Sequence, residues 1–427
     1  MNQVELARAF RNDEISVKDY LTQVERYFSA RERSVLAFLP EAGRFQRLEK
    51  EADELIARFP DPVTRPPLFG VLVGIKDIFH ADGFTTKAGS RLPVDELQGV
   101  QAESVTRLKK AGALILGKTV TTEFAYFTPG PTRNPHNVRH TPGGSSSGSA
   151  AAVGAELCPL TLGTQTIGSV IRPASFCGVI GMKPTYGRIP CDGVIPLSPS
   201  LDHVGFFASD LEIALHAART LYNDWDEPTI PVKKPVLGIP DSPYTRHISD
   251  EGGAHFDHIC KLLSTQYKVT LVRIMSDYQA IRDWHDVIMS AEAARVHKTW
   301  FAKHEDLYSP KFADLVRRGQ RINDDQLKNA LSIRDDFRSE LWRAMLDHNI
   351  DAWICPSTVG AAPKGLNSTG DPVMNLPWTQ AGLPAINLPA GKNPQGLPLG
   401  LQVVGNWHKD ESLLFWARDL EKALGNV

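Results

Sequence analysis

Apolar residues recur at helical spacing near the start of the chain. Val17, Leu21, Val24 and Phe28 follow at intervals of three and four, and Ser16 with Asp19 forms a capping pair in front of them. Phe45, Leu48, Ala52, Leu55 and Phe59 repeat the pattern, so two amphipathic helices are predicted before a proline-rich break at 60–67. The rhythm then changes. Residues 69–75, FGVLVGI, form a short unbroken apolar run that predicts a buried strand ending at Lys76 and Asp77. An amphipathic helix is predicted over 102–111 and a buried strand over 113–116. The alanine-rich stretch 149–157 predicts a helix roughly 14 Å long, and 159–163 a strand of roughly 16 Å. Residues 177–205, crowded with Gly and Pro, predict an ordered but irregular surface, and Ser209 with Glu212 caps a further helix. From 225 to 350 the pattern is mostly helical and more charged, with one strand at 269–274, and predicts a peripheral layer. Apolar runs at 352–355, 384–390 and 398–404 predict a return to the core, the last two as a strand pair across GKNPQG. Leu413, Ala417, Leu420 and Leu424 mark one face of a final helix.

Strand, helix, strand alternation of this kind predicts an α/β fold, a mixed or parallel sheet under helical covers. No repeat, low-complexity tract or flexible linker interrupts it, so a single large domain over 1–427 is expected. Its parts are N-terminal helices at 1–65, a core at 66–210, a variable, mainly helical layer at 211–350, and a core return with the C-terminal helix at 351–427.

Composition narrows the function. Hydrophobic residues make up 42 % of the 427 and charged residues 22 %, as in a soluble globular protein. A net charge of −2 gives no electrostatic reason to expect nucleic acid or a membrane as partner. The five cysteines, Cys158, Cys177, Cys191, Cys260 and Cys355, show no CxxC spacing, which argues for reduced thiols and against a disulfide framework or a zinc site. The N-terminal stretch lacks an apolar signal core and no 18-residue apolar run follows, so a cytoplasmic protein is expected. No metal or cofactor is expected, and a homodimer is the expected oligomer on general prevalence.

Candidate chemistry concentrates in 140–173, HTPGGSSSGSAAAVGAELCPLTLGTQTIGSVIRP. If the strand at 159–163 runs back along the helix at 149–157, their lengths nearly cancel, and Ser169 returns close to Ser145. Thr166, Ile167, Gly168 and Ser169 then form a turn whose N–H groups are free to converge on an oxyanion. A serine hydroxyl still needs a base. Lys76 follows a buried strand, and burial lowers a lysine pKa; bringing it from about 10.4 to about 7 takes roughly 4 to 5 kcal/mol. Neutral, it supplies that base.

Three other motifs compete. GALILGKT, 112–119, matches the phosphate-loop pattern, but its central residues are themselves a predicted strand, which removes the N–H groups a phosphate needs. GSSSG, 144–148, matches a nucleophile elbow with Ser146 as nucleophile and His203 as the nearest downstream histidine, but it follows a loop rather than a strand. His136 and His140 have helical ligand spacing, which Pro135 and Pro142 make geometrically unsuitable.

Taken together, GVLVGIKD, ESVTRLKKAGALILGKTVTTEFA, TRNPHNVRHTPGGSSSGSAAAV, LGTQTIGSVIRPASFCGVIGMKPTYGRI, GVIPLSPSLDHVG, GLPAINLPAG and GLPLGLQVVG resemble the segments of the amidase signature family, in its usual order. The resemblance covers roughly 66–210 and 350–405. It implies an α/β/α sandwich around a large mixed sheet, and hydrolysis of the C–N bond of a carboxamide through an acyl-enzyme. It also implies a Ser-Ser-Lys triad: Ser169 as nucleophile, Ser145 as the bridging serine on a cis peptide bond, and Lys76 as base. The oxyanion hole would be the backbone N–H groups of Thr166, Ile167, Gly168 and Ser169. The expected partner is a small-molecule amide. The same motifs fit the amidase subunit of a glutamine-dependent tRNA amidotransferase, which is the alternative. Tyr126, Phe127 and Trp378 are candidates for an apolar substrate pocket, and Arg172 is expected to hold the loop by donating to backbone carbonyls. The chain departs from the family pattern at Gln165 in place of an acid, at Ile167 in place of glycine, and at Ser147 where glycine is common.

Overall fold

The computed structural model describes residues 8–227 and 233–425. Residues 1–7 of the stretch read for a targeting signal, 228–232 of the mainly helical layer, and 426–427 lie outside the described residues. From the N-terminus come α1 (Val17–Val35), α2 (Arg44–Arg58), β1 (Leu72–Lys76), α3 (Glu103–Lys110), β2 (Leu114–Thr119), α4 (Ser147–Gly154), β3 (Leu160–Gln165), α5 (Ile171–Cys177), β4 (Ile180–Lys183), β5 (His203–Ala208) and α6 (Leu211–Leu221). The chain continues through β6 (Leu237–Asp241), α7 (Asp250–Ser264), β7 (Val269–Arg273), α8 (Tyr278–Val296), α9 (Lys298–His304), α10 (Pro310–Gly319), α11 (Asp324–Asp347), β8 (Ala352–Pro356), α12 (Leu376–Gln380), β9 (Ala385–Lys392), β10 (Pro398–Gly405) and α13 (Asp410–Leu424).

All ten strands join one sheet in the order β2-β1-β3-β5-β4-β9-β10-β8-β6-β7. β1 runs parallel to β2 and β3, and β6 runs parallel to β7 and β8. The ladders between β3 and β8 are antiparallel, so the sheet is mixed. Period-two alternation then divides the apolar side chains between its faces. Leu72, Leu114 and Leu116 meet α1, α2 and α4, through Leu21, Phe28, Leu48, Ala52 and Ala150. Val73, Ile75 and Ile115 meet the opposite cover, with Val105 of α3 and Ile213 and Leu215 of α6. Helices thus bury both faces.

The structure shifts several expected boundaries. β1 starts at Leu72, after Gly70 takes a left-handed turn at φ 76°, and includes Lys76 as its last residue. The alanine-rich helix runs over Ser147–Gly154 rather than 149–157, and the strand behind it over Leu160–Gln165. The irregular surface expected at 177–205 contains β4 and the start of β5. Their glycines hide them: a Cβ on Gly181 would meet that of Ala174 at 2.4 Å, and one on Gly205 would meet the Met182 carbonyl at 2.5 Å. β6 also goes unread from sequence. The cap of α6 is Asp210, which accepts from the Ile213 N–H; Ser209 hydrogen-bonds Asp210 instead.

Candidate active site

β1 and β3 lie side by side and parallel, so their C-terminal ends share one edge, where α/β sheets commonly place ligands. Lys76 ends β1, Thr164 and Gln165 end β3, and the turn 166–170 leads into α5. Gly144 turns the preceding loop at φ 62°, and a Cβ there would lie 2.7 Å from Pro173. Gly168 is pressed against Asn375, whose Oδ1 would be 2.5 Å from an added Cβ. Only glycine at both places allows the two serine turns to meet. The Ser145 N–H donates to Ser169 Oγ at 3.0 Å, the closure that the helix and strand lengths predict.

Lys76 is fully buried. Its Nζ lies 2.8 Å from Ser145 Oγ and 2.7 Å from Thr164 Oγ1, and no carboxylate among the described residues pairs with it. Burial therefore lowers its pKa to about 7, with the distant Asp202 opposing. Ser145 touches both neighbours, Lys76 through its hydroxyl and Ser169 through its amide. The peptide bonds here are trans: no cis bond occurs among the described residues, and the cis link implied by the resemblance is absent. Trans is the ordinary form for a non-proline residue.

The N–H groups of Thr166, Ile167, Gly168 and Ser169 find no acceptor among the described residues. Thr166, Gly168 and Ser169 are buried and Ile167 half-buried, and buried donors are rarely left without a partner. Gln165 stands under this turn, fully buried. Its Oε1 accepts from the N–H groups of Val170 and Ile171 at 2.8 and 3.0 Å, and its Nε2 donates to Thr379 Oγ1 at 2.9 Å. Thr379 in turn donates to the Ile167 carbonyl at 2.6 Å.

A narrow cleft above the serines is lined by Tyr126, Phe127, Ser145, Ile167, Ser169 and Arg172. Trp378 is not there. It is fully buried against Trp353 and Tyr244, a core role that its position before the closing strands could not distinguish. Arg172 also differs from expectation. It donates to Thr369 Oγ1 rather than to backbone carbonyls, and its Nε and Nη1 are buried without partners. Burial lowers its pKa to about 10, with Asp371 opposing.

The competing motifs have structural explanations. Gly117, Lys118 and Thr119 are strand residues, and Lys118 pairs with Asp77 at 2.9 Å, leaving no phosphate loop. Ser146 Oγ accepts from the Thr164 N–H and donates to the Thr164 carbonyl, both at 3.1 Å, so it splices α4 to β3 and is no elbow nucleophile. His203 Nδ1 faces the Leu201 carbonyl, not a serine. His136 and His140 each meet a backbone carbonyl, of Cys177 and Ala362, and no metal-ligating cluster occurs among the described residues. The sequence pattern gives no hint of Lys183, also buried with a pKa lowered to about 7 by burial. Its Nζ donates to the carbonyls of Pro184 and Leu383, acceptors with no proton to give, so its role is structural.

Sheet, covers and site together describe an α/β/α hydrolase of amide C–N bonds, and comparison with known proteins agrees. A solved amidase, 29 % identical, matches with a TM-score of 0.88 over 100 % of both chains. A protein described in connection with a vestigial complex and the origins of an s-triazine catabolic enzyme is 27 % identical, with a TM-score of 0.89 over 100 % of this chain and 99 % of that one. Among curated relatives, the A component of the glutamyl-tRNA(Gln) amidotransferase of Synechococcus sp. is 30 % identical over 468 aligned positions, covering 97 % of this chain and 96 % of its own. The family model described as Amidase matches residues 17–242 and 246–414. The chain belongs to the Amidase family.

Proposed function

We propose that the protein hydrolyses a small or medium carboxamide through an acyl-enzyme on Ser169, with Ser145 as proton relay and Lys76 as base. The observation that carries this reading is a lysine at about pKa 7 whose nitrogen rests 2.8 Å from Ser145 Oγ, while Ser145 itself touches Ser169. Neutral Lys76 takes the Ser145 proton as Ser145 takes that of Ser169, and Ser169 Oγ bonds to the carbonyl carbon. The oxyanion is met by the N–H groups of 166–169. The proton returns through Ser145 to the nitrogen as the C–N bond breaks, amine or ammonia leaves, and water activated by the same relay releases the carboxylate. Arg172, buried beside the cleft and donating to Thr369 Oγ1, positions the loop above the serines. No step calls for a metal or cofactor.

The test is intact mass after treatment with a serine-directed fluorophosphonate. One adduct on the wild type and on Ser146→Ala, lost in Ser169→Ala and Lys76→Ala, is expected. An adduct lost only in Ser146→Ala would move the chemistry to the GSSSG turn.

A second reading, the amidase component of a glutamine-dependent tRNA amidotransferase, is favoured by the near end-to-end likeness to the Synechococcus protein of that description. Copurification with partner proteins and glutaminase activity would support it. We take the protein alone as a homodimer, checked by light scattering, with no nucleic-acid partner. Five free cysteines suit a cytoplasmic location, and no helix among the described residues is long and apolar enough to cross a membrane.

A further inference from the structure

We propose that a second cavity, beside the serine cleft, receives a compact apolar group of the amide substrate; this rests on the reading of Ser169 given above. The cavity is about 190 Å³ and is walled by Ile78, Val194, Ile195 and Leu197. Two of its lining residues, Ala125 and Leu197, also line the cleft, so the two spaces adjoin across them. Thr164, which touches Lys76, lines it as well.

The lining leaves an apolar guest as the fitting one. Asp202 is its charged member, and both carboxylate oxygens are engaged: Oδ1 accepts from the Thr166 hydroxyl at 2.6 Å, and Oδ2 from the N–H groups of Leu197 and Ser198 at 2.8 and 3.0 Å. The Thr164 hydroxyl is engaged by Lys76. With Asp202 satisfied and the Cys191 thiol turned to the Asp202 carbonyl, a polar guest would lose water for few partners there, whereas an apolar one gains burial. A cavity of about 150 Å³ with aliphatic and aromatic walls holds benzene. The present volume therefore suits a phenyl ring or a short branched alkyl chain.

The shared wall is held in place. Ala125 adopts φ 61° directly after Phe124 at φ 45°. The Phe124 ring is gripped by His297 at 4.6 Å and by Phe312 and Tyr308 at 5.3 and 5.6 Å between centroids. This anchor fixes the position of the Ala125 methyl group on the wall it shares with Leu197.

The test reads labelling of Ser169 by fluorophosphonates carrying methyl, isobutyl or benzyl on phosphorus, for wild type, Val194→Phe and Val194→Ala. Wild type is expected to react at least tenfold faster with the isobutyl or benzyl reagent than with methyl. Val194→Phe, filling the cavity, should erase that preference, and Val194→Ala should shift it toward the larger group. Turnover of amides bearing the group on the acyl or on the amine side then identifies which half occupies the cavity; preference in either series supports the proposal. Rates that are flat across the reagents in wild type, or ratios unchanged in both variants, with turnover equally indifferent in both series, overturn it. A wild type that no reagent labels defeats the Ser169 reading, and the proposal with it.

Discussion

Lys76 and Lys183 share full burial and a pKa lowered to about 7, yet only one can act as a base. The difference lies in the partner atoms: hydroxyls exchange protons with a neutral amine, and carbonyls do not. Because the Lys76 pKa is depressed, its neutral form is present above about pH 7 and lost below it. The acylation rate should therefore rise with pH through about 7 and level off above, a profile that fluorophosphonate labelling measured from about pH 5 to 9 would show. A rate independent of pH over that range would remove Lys76 as base. Gln165 poses the complementary question of what replaces an acid beneath the Ser169 turn. As a neutral amide it accepts two N–H groups and still donates to Thr379, which an ionised carboxylate cannot do. Gln165→Glu would turn the Thr379 hydroxyl toward the carboxylate and leave the Ile167 carbonyl without its donor. We expect kcat to fall about tenfold with KM little changed, consistent with roughly 1.4 kcal/mol lost in the transition state alone. Thr379→Val should reproduce the loss. Gln165 is visible as a departure in sequence, but its partner stands 214 positions away, beyond any local pattern.

The mainly helical layer between α6 and β8 looks peripheral in sequence because its pattern is charged and lies outside the family resemblance. Its contacts show otherwise. Ser309, the N-cap of α10, accepts from the Phe312 N–H, donates to Glu123, and meets Thr128 Oγ1 at 2.7 Å. Glu123 and Thr128 bracket Tyr126 and Phe127, so the layer clasps the segment that lines the cleft. Burial raises the Glu123 pKa, and the Ser309 hydrogen bonds oppose that rise. Ser309→Ala removes the cap, worth about 1 kcal/mol, and strips a donor from a buried carboxylate, worth about 1 to 3 kcal/mol more. A loss of about 2 to 4 kcal/mol should appear as a lower urea midpoint at about pH 7. Because a raised acid pKa makes the ionised form the strained one, the loss should be larger there than at about pH 4.5, where Glu123 is more fully protonated. An equal loss at both would assign the effect to the helix cap alone. Sequence could suggest neither contact, since capping serines are common and nothing local pairs Ser309 with a glutamate 186 positions earlier.

The α/β class, the strands that carry the site and the meeting of Ser145 with Ser169 were legible because each depends on local periodicity or on lengths that add along the chain. Strand order was not. β4, β5 and β6 are short, interrupted by glycine or next to proline, and acquire their identity from neighbours distant in sequence. That long-range pairing bears on how the molecule holds together. β6 and β7 belong to the helical layer, yet β6 pairs with β8, and β8 with β10 of the core return. Detaching the layer would expose the backbone of β8 along one edge and the apolar faces of α7 and α8 that pack on the same core cluster as the sheet. We infer that layer and core form one folding unit. Tryptophans report on both: Trp225, Trp284, Trp300 and Trp342 sit in the layer, Trp353, Trp378, Trp407 and Trp416 in the core return. In urea, fluorescence of variants retaining only one group should give the same midpoint as far-ultraviolet circular dichroism, since one cooperative transition reports alike through every probe. An earlier midpoint for the layer tryptophans would mean that the β6–β8 pairing opens separately, with the clasp on the Tyr126 segment released before the catalytic sheet is lost.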